Sequence, residues 1–334
     1  MLTLDNNICV LEIVTWNGGT LGGPGRGHTL FNRTGYHLVE LQQGEWMSIK
    51  LAVPNKGRLN ERSIEILKQA GLEIEDGGER KLYATVKNGE ISVMFLRAQD
   101  IVRFVHKGAV DIGITGYDLV LESGLDVHKL LDMGFGRCRL SVAVPEGKGM
   151  DAIADVPDGS IVATSFPNMT RRFFKENGKK VEVTEISGAA EVTPHLGVAD
   201  LIVDLVSSGS TLKTNHLREI ATIAESQAVM ITSKEAMCTE KREEMEELAL
   251  AIRSVIDARG KRYLMADVKV STLDEIRTFL PGIAGPTVMN IVGRTDIVAI
   301  HVVVDKSKIY ESVNKLKRLG ASGILIVPID RMVP

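Results

Sequence analysis

The sequence predicts an α/β fold of two lobes with a cleft between them, followed by a small domain in the order βαββαβ. Three observations carry this expectation. Short apolar runs recur through residues 48–233 with helical patterns between them, as in a parallel or mixed sheet covered by helices on both faces. After a second α/β set, the run "IATIAESQAVMITS" returns to strand character, which implies a crossing back to the first lobe. From Thr239 the character changes to one long amphipathic helix and then a compact alternating set. At 334 residues the chain exceeds one ordinary core, so two or three domains are expected.

Residues 1–46 stand apart. Their "WNGGTLGGPGRGH" is dense in glycine but lacks the strand–loop–helix context of a nucleotide loop. The segment reads as a flexible leader or as a stretch upstream of a natural start at Met47. Residues 47–136 and 220–236 are expected to form lobe I. There "SIKLAVP" is a strand and "NKGRL" a connecting loop. "NERSIEILKQAG" is a helix with Asn60 as N-cap, Ile64, Leu67 and Ala70 on one face, and Gly71 at its end. "ISVMFLR", "AQDIVRFVHKG" and "VDIGITG" continue as strand, helix and strand. Residues 137–219 form lobe II. Its strands are "CRLSVAVP", "SIVATSF", "VEVTEIS" and "ADLIVDLV"; its helices are "MTRRFFKENG" and "AEVTPHLGVA". Residues 237–260 read as a linker helix with Met245, Leu248, Ala249, Ile252, Val255 and Ile256 in one stripe and Gly260 closing it. Residues 261–334 give the ferredoxin-like order, from "RYLMADVKV" to "GILIVPI".

Composition narrows the function classes. A net charge of -3 shows no sign of a nucleic-acid or membrane surface, and aromatics at 4% are too few for stacking platforms along a single strand. The odd, widely spaced Cys9, Cys138 and Cys238 point to a reducing compartment, and no metal-ligand spacing links them to the seven histidines. No apolar run approaches membrane-spanning length, and no secretory signal is evident at the N-terminus. A cytoplasmic protein is expected.

The stretch "DLVSSGSTLKTN" carries the strongest chemistry. It follows a buried strand without a break and supplies more hydroxyls than a plain turn needs. Ser207, Ser208, Ser210 and Thr211, with the amides around Gly209, can wrap a terminal phosphate. The alternative is a polar turn that caps the next helix. Asp204 at the loop's mouth can orient a sugar hydroxyl or a metal-bound water. Charged groups also cluster at expected strand ends, where open α/β sheets bind ligands. Lys56 and Arg58 lie in the first such loop and would otherwise be a solvated surface pair. Arg97 and Asp100 follow another strand and would otherwise form a salt bridge. Arg137 and Arg139 bracket Cys138 near the lobe boundary. Glu191 is expected to start a helix whose amides can face an anion, or else to act only on that helix's dipole. His195 and His216 lie near the loop, but no nucleophile-and-base pair is evident. A site with many phosphate binders and no covalent catalyst suits a displacement driven by positioning and electrostatics.

From about Ser48 to Met332 these blocks resemble the ATP phosphoribosyltransferase family: "LAVPNKGRL", "FLRAQDI", "VDIGITGYD", "GRCRLSVAVP", "VATSFP" and, most specifically, "EISGAAEVTPHLGVADLIVDLVSSGSTL". The βαββαβ tail, with "LPGIAGPTV" and "GASGILIVPIDRM", resembles the long form, which carries a C-terminal histidine-binding regulatory domain. The resemblance implies a periplasmic-binding-protein-like two-lobe core. It also implies a glycosyltransferase reaction in which adenine N1 of ATP displaces pyrophosphate from phosphoribosyl pyrophosphate, with Mg2+ carried on the substrate phosphates and no protein metal ligand assigned. Residues 207–211 would hold the ribose 5-phosphate, and Asp204 and Glu191 would address ribose hydroxyls. Lys56, Arg58, Arg97 and Arg139 would meet the remaining phosphates. Histidine would bind between C-terminal domains at Asp267, Thr287 and backbone near His301, as a feedback inhibitor. A strand-edge charge is the alternative for Asp267. Long-form members often carry serine where Gly285 stands, which removes one hydroxyl here. The family assembles as homo-oligomers, dimers and hexamers. A non-catalytic solute-binding module shares the two-lobe architecture, but it predicts an export signal or a DNA-binding helix-turn-helix, and neither is seen in the sequence. A catalytically dead paralogue is the other alternative; the intact phosphate loop and strand-end basic residues argue against it.

Overall fold

The computed structural model describes residues 49–74, 83–86 and 91–333; the expected leader, residues 1–46, lies outside the described residues. The first pass of the chain comprises β1 (Ile49–Pro54), α1 (Gly57–Gln69), β2 (Tyr83–Thr85), β3 (Ile91–Leu96), α2 (Ala98–His106), β4 (Ile112–Gly116), α3 (Tyr117–Ser123) and β5 (His128–Asp132). The second comprises β6 (Cys138–Pro145), β7 (Ile161–Thr164), α4 (Pro167–Glu176), β8 (Glu182–Glu185), β9 (Leu201–Val206), α5 (Ser210–Thr214) and β10 (Leu217–Ser226). β11 (Ala228–Thr232) then re-enters the first sheet, whose order is β2-β3-β1-β4-β11-β5, while the second sheet runs β10-β6-β9-β7-β8.

The first sheet is covered on both faces, so its central strands read as continuous apolar runs. Ile49, Leu51 and Val53 face one core cluster, and Ala52 faces the other beside Ile101, Val102 and Val105 of α2. The helix α1 starts before Asn60. That residue lies inside the first turn, and its Nδ2 donates to the Pro54 carbonyl at 2.6 Å, tying the helix to the end of β1.

The expected return strand is broken at Gln227: residues 220–226 belong to the second sheet and only β11 to the first. The crossing is fixed by main-chain bonds. Tyr117 N–H donates to Gln227 O at 2.9 Å, and Ala228 N–H donates to Phe135 O at 2.9 Å. α3 and β5 were not legible as elements. α3 presents Glu122 to the start of α4, where its carboxylate accepts the Asn168 and Met169 N–H groups at 2.8 and 2.9 Å. This carboxylate from another element takes the place of a local N-cap.

α6 (Arg242–Ala258) carries the expected stripe, but it is more than a linker. Met245, Leu248, Ala249, Ile252 and Val255 complete the first lobe's core, whereas Ile256 is only partly buried. The C-terminal domain comprises β12 (Lys261–Lys269), α7 (Leu273–Phe279), β13 (Thr287–Asn290), β14 (Ile297–Asp305), α8 (Ile309–Arg318) and β15 (Ser322–Pro328). Its antiparallel sheet, β13-β14-β12-β15, is ferredoxin-like. Leu264, Ala266, Val268, Ile300 and Val302 face Ile276 of α7 and Leu316 of α8. The alternate residues, among them Tyr263, Met289, Leu325 and Val327, face away and are exposed. No helix among the described residues is long and apolar enough to cross a membrane.

Past β15 the chain folds back on the first lobe. Arg331 Nε donates to the Gln69 carbonyl at 3.0 Å, and Met332 N–H donates to the Ser254 carbonyl of α6 at 2.9 Å. A cation at the end of α1 also complements the helix dipole. Arg331→Ala is expected to cost about 1 kcal/mol and lower the melting midpoint by roughly 1–2 °C. A calorimetric scan with an unchanged midpoint would contradict this.

Candidate active site

β9 is buried through Leu201, Ile202 and Val203, and burial lifts at Asp204. The strand then delivers residues 207–209 to the surface. Gly209 takes φ 76°, a left-handed setting that glycine adopts without strain, and serves as N-cap of α5. The Ser208 and Ser210 hydroxyls are 2.9 Å apart, and Ser210 N–H points at Ser208 Oγ at 3.4 Å. Hydroxyls and first-turn amides without intrahelical partners therefore gather at one point. The stretch does cap a following helix, as the polar-turn alternative holds, but that helix is only five residues long.

A cavity of about 300 Å³ opens beside this loop. It is lined by residues 204–212, by Glu191 and, from the other lobe, by Arg58 in the first turn of α1. Ser207 also lines a second cavity of about 510 Å³ at the lobe crossing, with Tyr117, Lys129, Arg137, Arg139 and Gln227. Arg139 and the loop are thus joined through Ser207. Lys56 and Arg97 lie elsewhere: they precede α1 and α2 at the ends of the adjacent parallel strands β1 and β3. Both are exposed there and line neither cavity.

The helix expected from Glu191 onward does not form. Residues Ala190–Val192 make a single 3-10 turn, and the chain continues in turns past Pro194 and Gly197. Proline cannot supply the N–H a helix needs at its fourth position, and glycine weakens the next turn. Glu191 reaches the cavity without a helix dipole behind it. Of the histidines, His195 Nε2 lies 2.7 Å from the Asn215 carbonyl, assigned as donor, and ties down the end of α5. His216 sits 3.8 Å from Glu146.

Electrostatics distinguish the carboxylates. Burial pushes the Asp204 pKa up, the Leu205 N–H it accepts at 2.7 Å pulls it down, and Glu191 raises it further. Asp118, at the lobe crossing, is buried, and burial raises its pKa too. The Ser226 hydroxyl donates to it at 2.5 Å and accepts the Asp118 N–H at 2.8 Å. The Cys138 thiol beside them is pushed up by burial and then by the Asp118 charge. Sequence reasoning missed Glu219 altogether. Its carboxylate grips Arg139, with Nε donating to Oε2 at 2.7 Å and Nη2 to Oε1 at 2.5 Å. No local pattern marks a partner 80 residues away.

In the C-terminal sheet, Thr287 pairs with His301, His301 with Met265, and Asp267 with Ala299. Directly opposed residues share a face, so Asp267, Thr287 and His301 all lie on the face away from the helices. His301 Nδ1 is 3.0 Å from the Tyr263 hydroxyl, and a Cβ at Gly323 would come within 2.7 Å of Asp267 Oδ2. Gly285, where a serine would supply a hydroxyl, has φ 104°, a setting that strains any other residue.

The chain matches two family models, ATP phosphoribosyltransferase over residues 97–254 and "HisG, C-terminal domain" over residues 258–331. The ATP phosphoribosyltransferase of Methanothermobacter thermautotrophicus is 45% identical over 288 residues, which cover 86% of this chain and 100% of the relative. That of Gemmatimonas aurantiaca is 47% identical over 292 residues with the same coverage. Among solved structures, a chain of the ATP phosphoribosyl transferase (HisG:HisZ) complex from Thermotoga maritima matches with TM-score 0.56 at 30% identity, covering 63% of this chain and 98% of that one. The chain belongs to the ATP phosphoribosyltransferase family, pentosyltransferases of the first step in histidine biosynthesis.

Proposed function

We propose that the two cavities hold the two substrates of this reaction and that the named residues divide the work as follows. The observation that carries the assignment is the convergence, in one cavity, of a hydroxyl-rich loop, two carboxylates and an arginine from the opposite lobe. The loop's hydroxyls and the amides of α5 hold the ribose 5-phosphate. Asp204 and Glu191 accept hydrogen bonds from ribose hydroxyls and place negative charge near C1, where positive charge grows as the bond to pyrophosphate breaks. Arg58 closes on the anion from the other lobe, and Arg139 meets the phosphates in the adjoining cavity. Lys56 and Arg97, at strand ends outside both cavities, meet only phosphates that extend beyond them. Adenine N1 carries a lone pair, so its attack on C1 needs no strong general base. The electron pair of the broken C–O bond leaves with pyrophosphate. The site's carboxylates and hydroxyls are the oxygen donors that Mg2+ prefers; among the described residues no group of three or more His, Cys, Asp or Glu could hold a metal. Mg2+ bound to the substrate phosphates would neutralise the departing pyrophosphate.

The C-terminal domain supports a regulatory reading. Asp267, Thr287 and His301 share the open face of its sheet, beside exposed apolar residues that suit contact with a second copy. Histidine held there between subunits would inhibit by shifting the population between dimeric and hexameric assemblies. The cytoplasm is the proposed location.

Asp204→Asn tests the site in a phosphoribosyl-ATP assay. Loss of a charged acceptor is expected to lower kcat/KM about 10- to 100-fold. Because the folded pKa of Asp204 is raised, the wild-type acid limb should lie above the ordinary carboxylate range, and the variant should lose it. Stability moves the other way. The ionised carboxylate is penalised in the folded state, with no penalty below the ordinary pKa and the full penalty above the raised one. At neutral pH the variant should therefore melt no lower than wild type. An unchanged rate and pH profile would contradict the assignment.

A further inference from the structure

Arg139 lines the larger of the two cavities, and its strand partner Val206 precedes Ser207, which lines both. In β6 and β9, Arg139 opposes Val206 and Ser141 opposes Asp204; in β10, Glu219 opposes Ala143. Opposed residues share a face, so Arg139, Ser141, Asp204 and Glu219 all lie on one side of the second sheet. The same side carries Ala143, Val206 and Leu212, which pack under the phosphate loop. A Cβ placed on Gly209 would sit 3.6 Å from Glu219 Oε1, so this carboxylate lies directly behind the loop's glycine.

A lone carboxylate at that place would repel a phosphate. Its charge is instead committed to Arg139, whose hydrogen bonds hold the Glu219 pKa below the ordinary value and keep it ionised. The geometry of the grip matters more than its charge. Glu219 takes the Nε and Nη2 edge of the guanidinium, which leaves the Nη1 side with its N–H groups unused by the pair. Arg139 lines the larger cavity, next to Ser207 of the loop. As a partly exposed cross-strand ion pair, the two side chains would add little to stability.

We propose that Glu219 is a positioning residue for phosphoribosyl transfer: it holds Arg139 by one edge so that the other edge meets the polyphosphate chain of a substrate in the adjoining cavity. This rests on the transfer reading given above. The shared chemistry is a polyphosphate, and two sources can supply it: the triphosphate of ATP and the pyrophosphate of phosphoribosyl pyrophosphate.

The test is steady-state phosphoribosyl-ATP formation by the full chain, with each substrate varied in turn. The variants are Glu219→Gln, Arg139→Ala, their double, and the exchange Arg139→Glu with Glu219→Arg. Glu219→Gln, nearly isosteric, is expected to lower kcat/KM about 10- to 100-fold, the scale of a misplaced binding group. A raised KM for ATP assigns the contact to the triphosphate, and a raised KM for phosphoribosyl pyrophosphate assigns it to the pyrophosphate. Because Glu219 acts through Arg139, the double variant should be no slower than Arg139→Ala alone. The exchange should leave the melting midpoint near that of the wild type and the rate low. Glu219→Asp, which keeps the charge on a shorter arm, should recover part of the rate and serves if the glutamine variant does not fold. A wild-type rate in Glu219→Gln, multiplicative losses in the double variant, or full activity in the exchanged pair would overturn the proposal. A wild-type chain that forms no phosphoribosyl-ATP would overturn the transfer reading itself.

Discussion

Gly209→Val is expected to remove most phosphoribosyl transfer, lowering kcat/KM by at least about 100-fold, while the chain stays folded. Gly209 sits at φ 76°, and a β-branched residue there carries roughly 1–3 kcal/mol of backbone strain. A Cβ there makes only ordinary contacts, 3.6 Å to Glu219 Oε1 and 3.9 Å to Val206, so the strain lies in the backbone. The loop can relieve this only by moving. Its loop is exposed and only Leu212 of its five-residue helix is buried, so the motion displaces the amides and hydroxyls while disturbing one edge of the core. Adding Ser208→Ala also removes the hydroxyl that lies 2.9 Å from Ser210 Oγ. Kinetics with phosphoribosyl pyrophosphate varied, beside a thermal melt, check the prediction. Near-normal turnover by a folded variant would show that the loop does not hold the phosphate.

The second large effect belongs to the C-terminal sheet. Asp267→Asn is expected to raise the histidine concentration needed for half-inhibition about 10- to 100-fold, the worth of one charge-assisted hydrogen bond. The uninhibited rate should stay within about twofold, because the residue lies in the C-terminal sheet, away from both cavities. The variant keeps its shape against Gly323, whose backbone approaches the carboxylate closely, since asparagine is nearly isosteric. Unchanged inhibition would return Asp267 to the status of a strand-edge charge.

The fold was legible where burial dictates composition. β1, β3, β4 and β9 are short apolar runs ended by polar or glycine-rich loops, and α6 displays its core stripe at helical spacing. Elements set by tertiary context were not. β2 is a three-residue edge, α3 has seven residues, and the five residues of β5, HKLLD, neither alternate nor form an apolar run. The break at Gln227 was hidden because that one residue alone separates the two strands, with no turn signal between them. The site divides in the same way. The phosphate loop is contiguous, so its chemistry could be read in one stretch. Arg58 opposite that loop, and Glu219 behind it, arrive through strand order and register, which no local pattern states. Glu191 was read as a site residue for a helix that Pro194 and Gly197 prevent, yet its side chain reaches the cavity through the turn that forms instead.

The most direct measurement is phosphoribosyl-ATP formation by the purified full chain. ATP, phosphoribosyl pyrophosphate and Mg2+ would be supplied, with pyrophosphatase to draw the reaction forward, and the rate followed by absorbance with and without histidine. Turnover should depend on both substrates and fall as histidine is added. Turnover unaffected by histidine would contradict the regulatory assignment of the C-terminal sheet, and a folded chain with no turnover would contradict the assignment of the two cavities as a catalytic site.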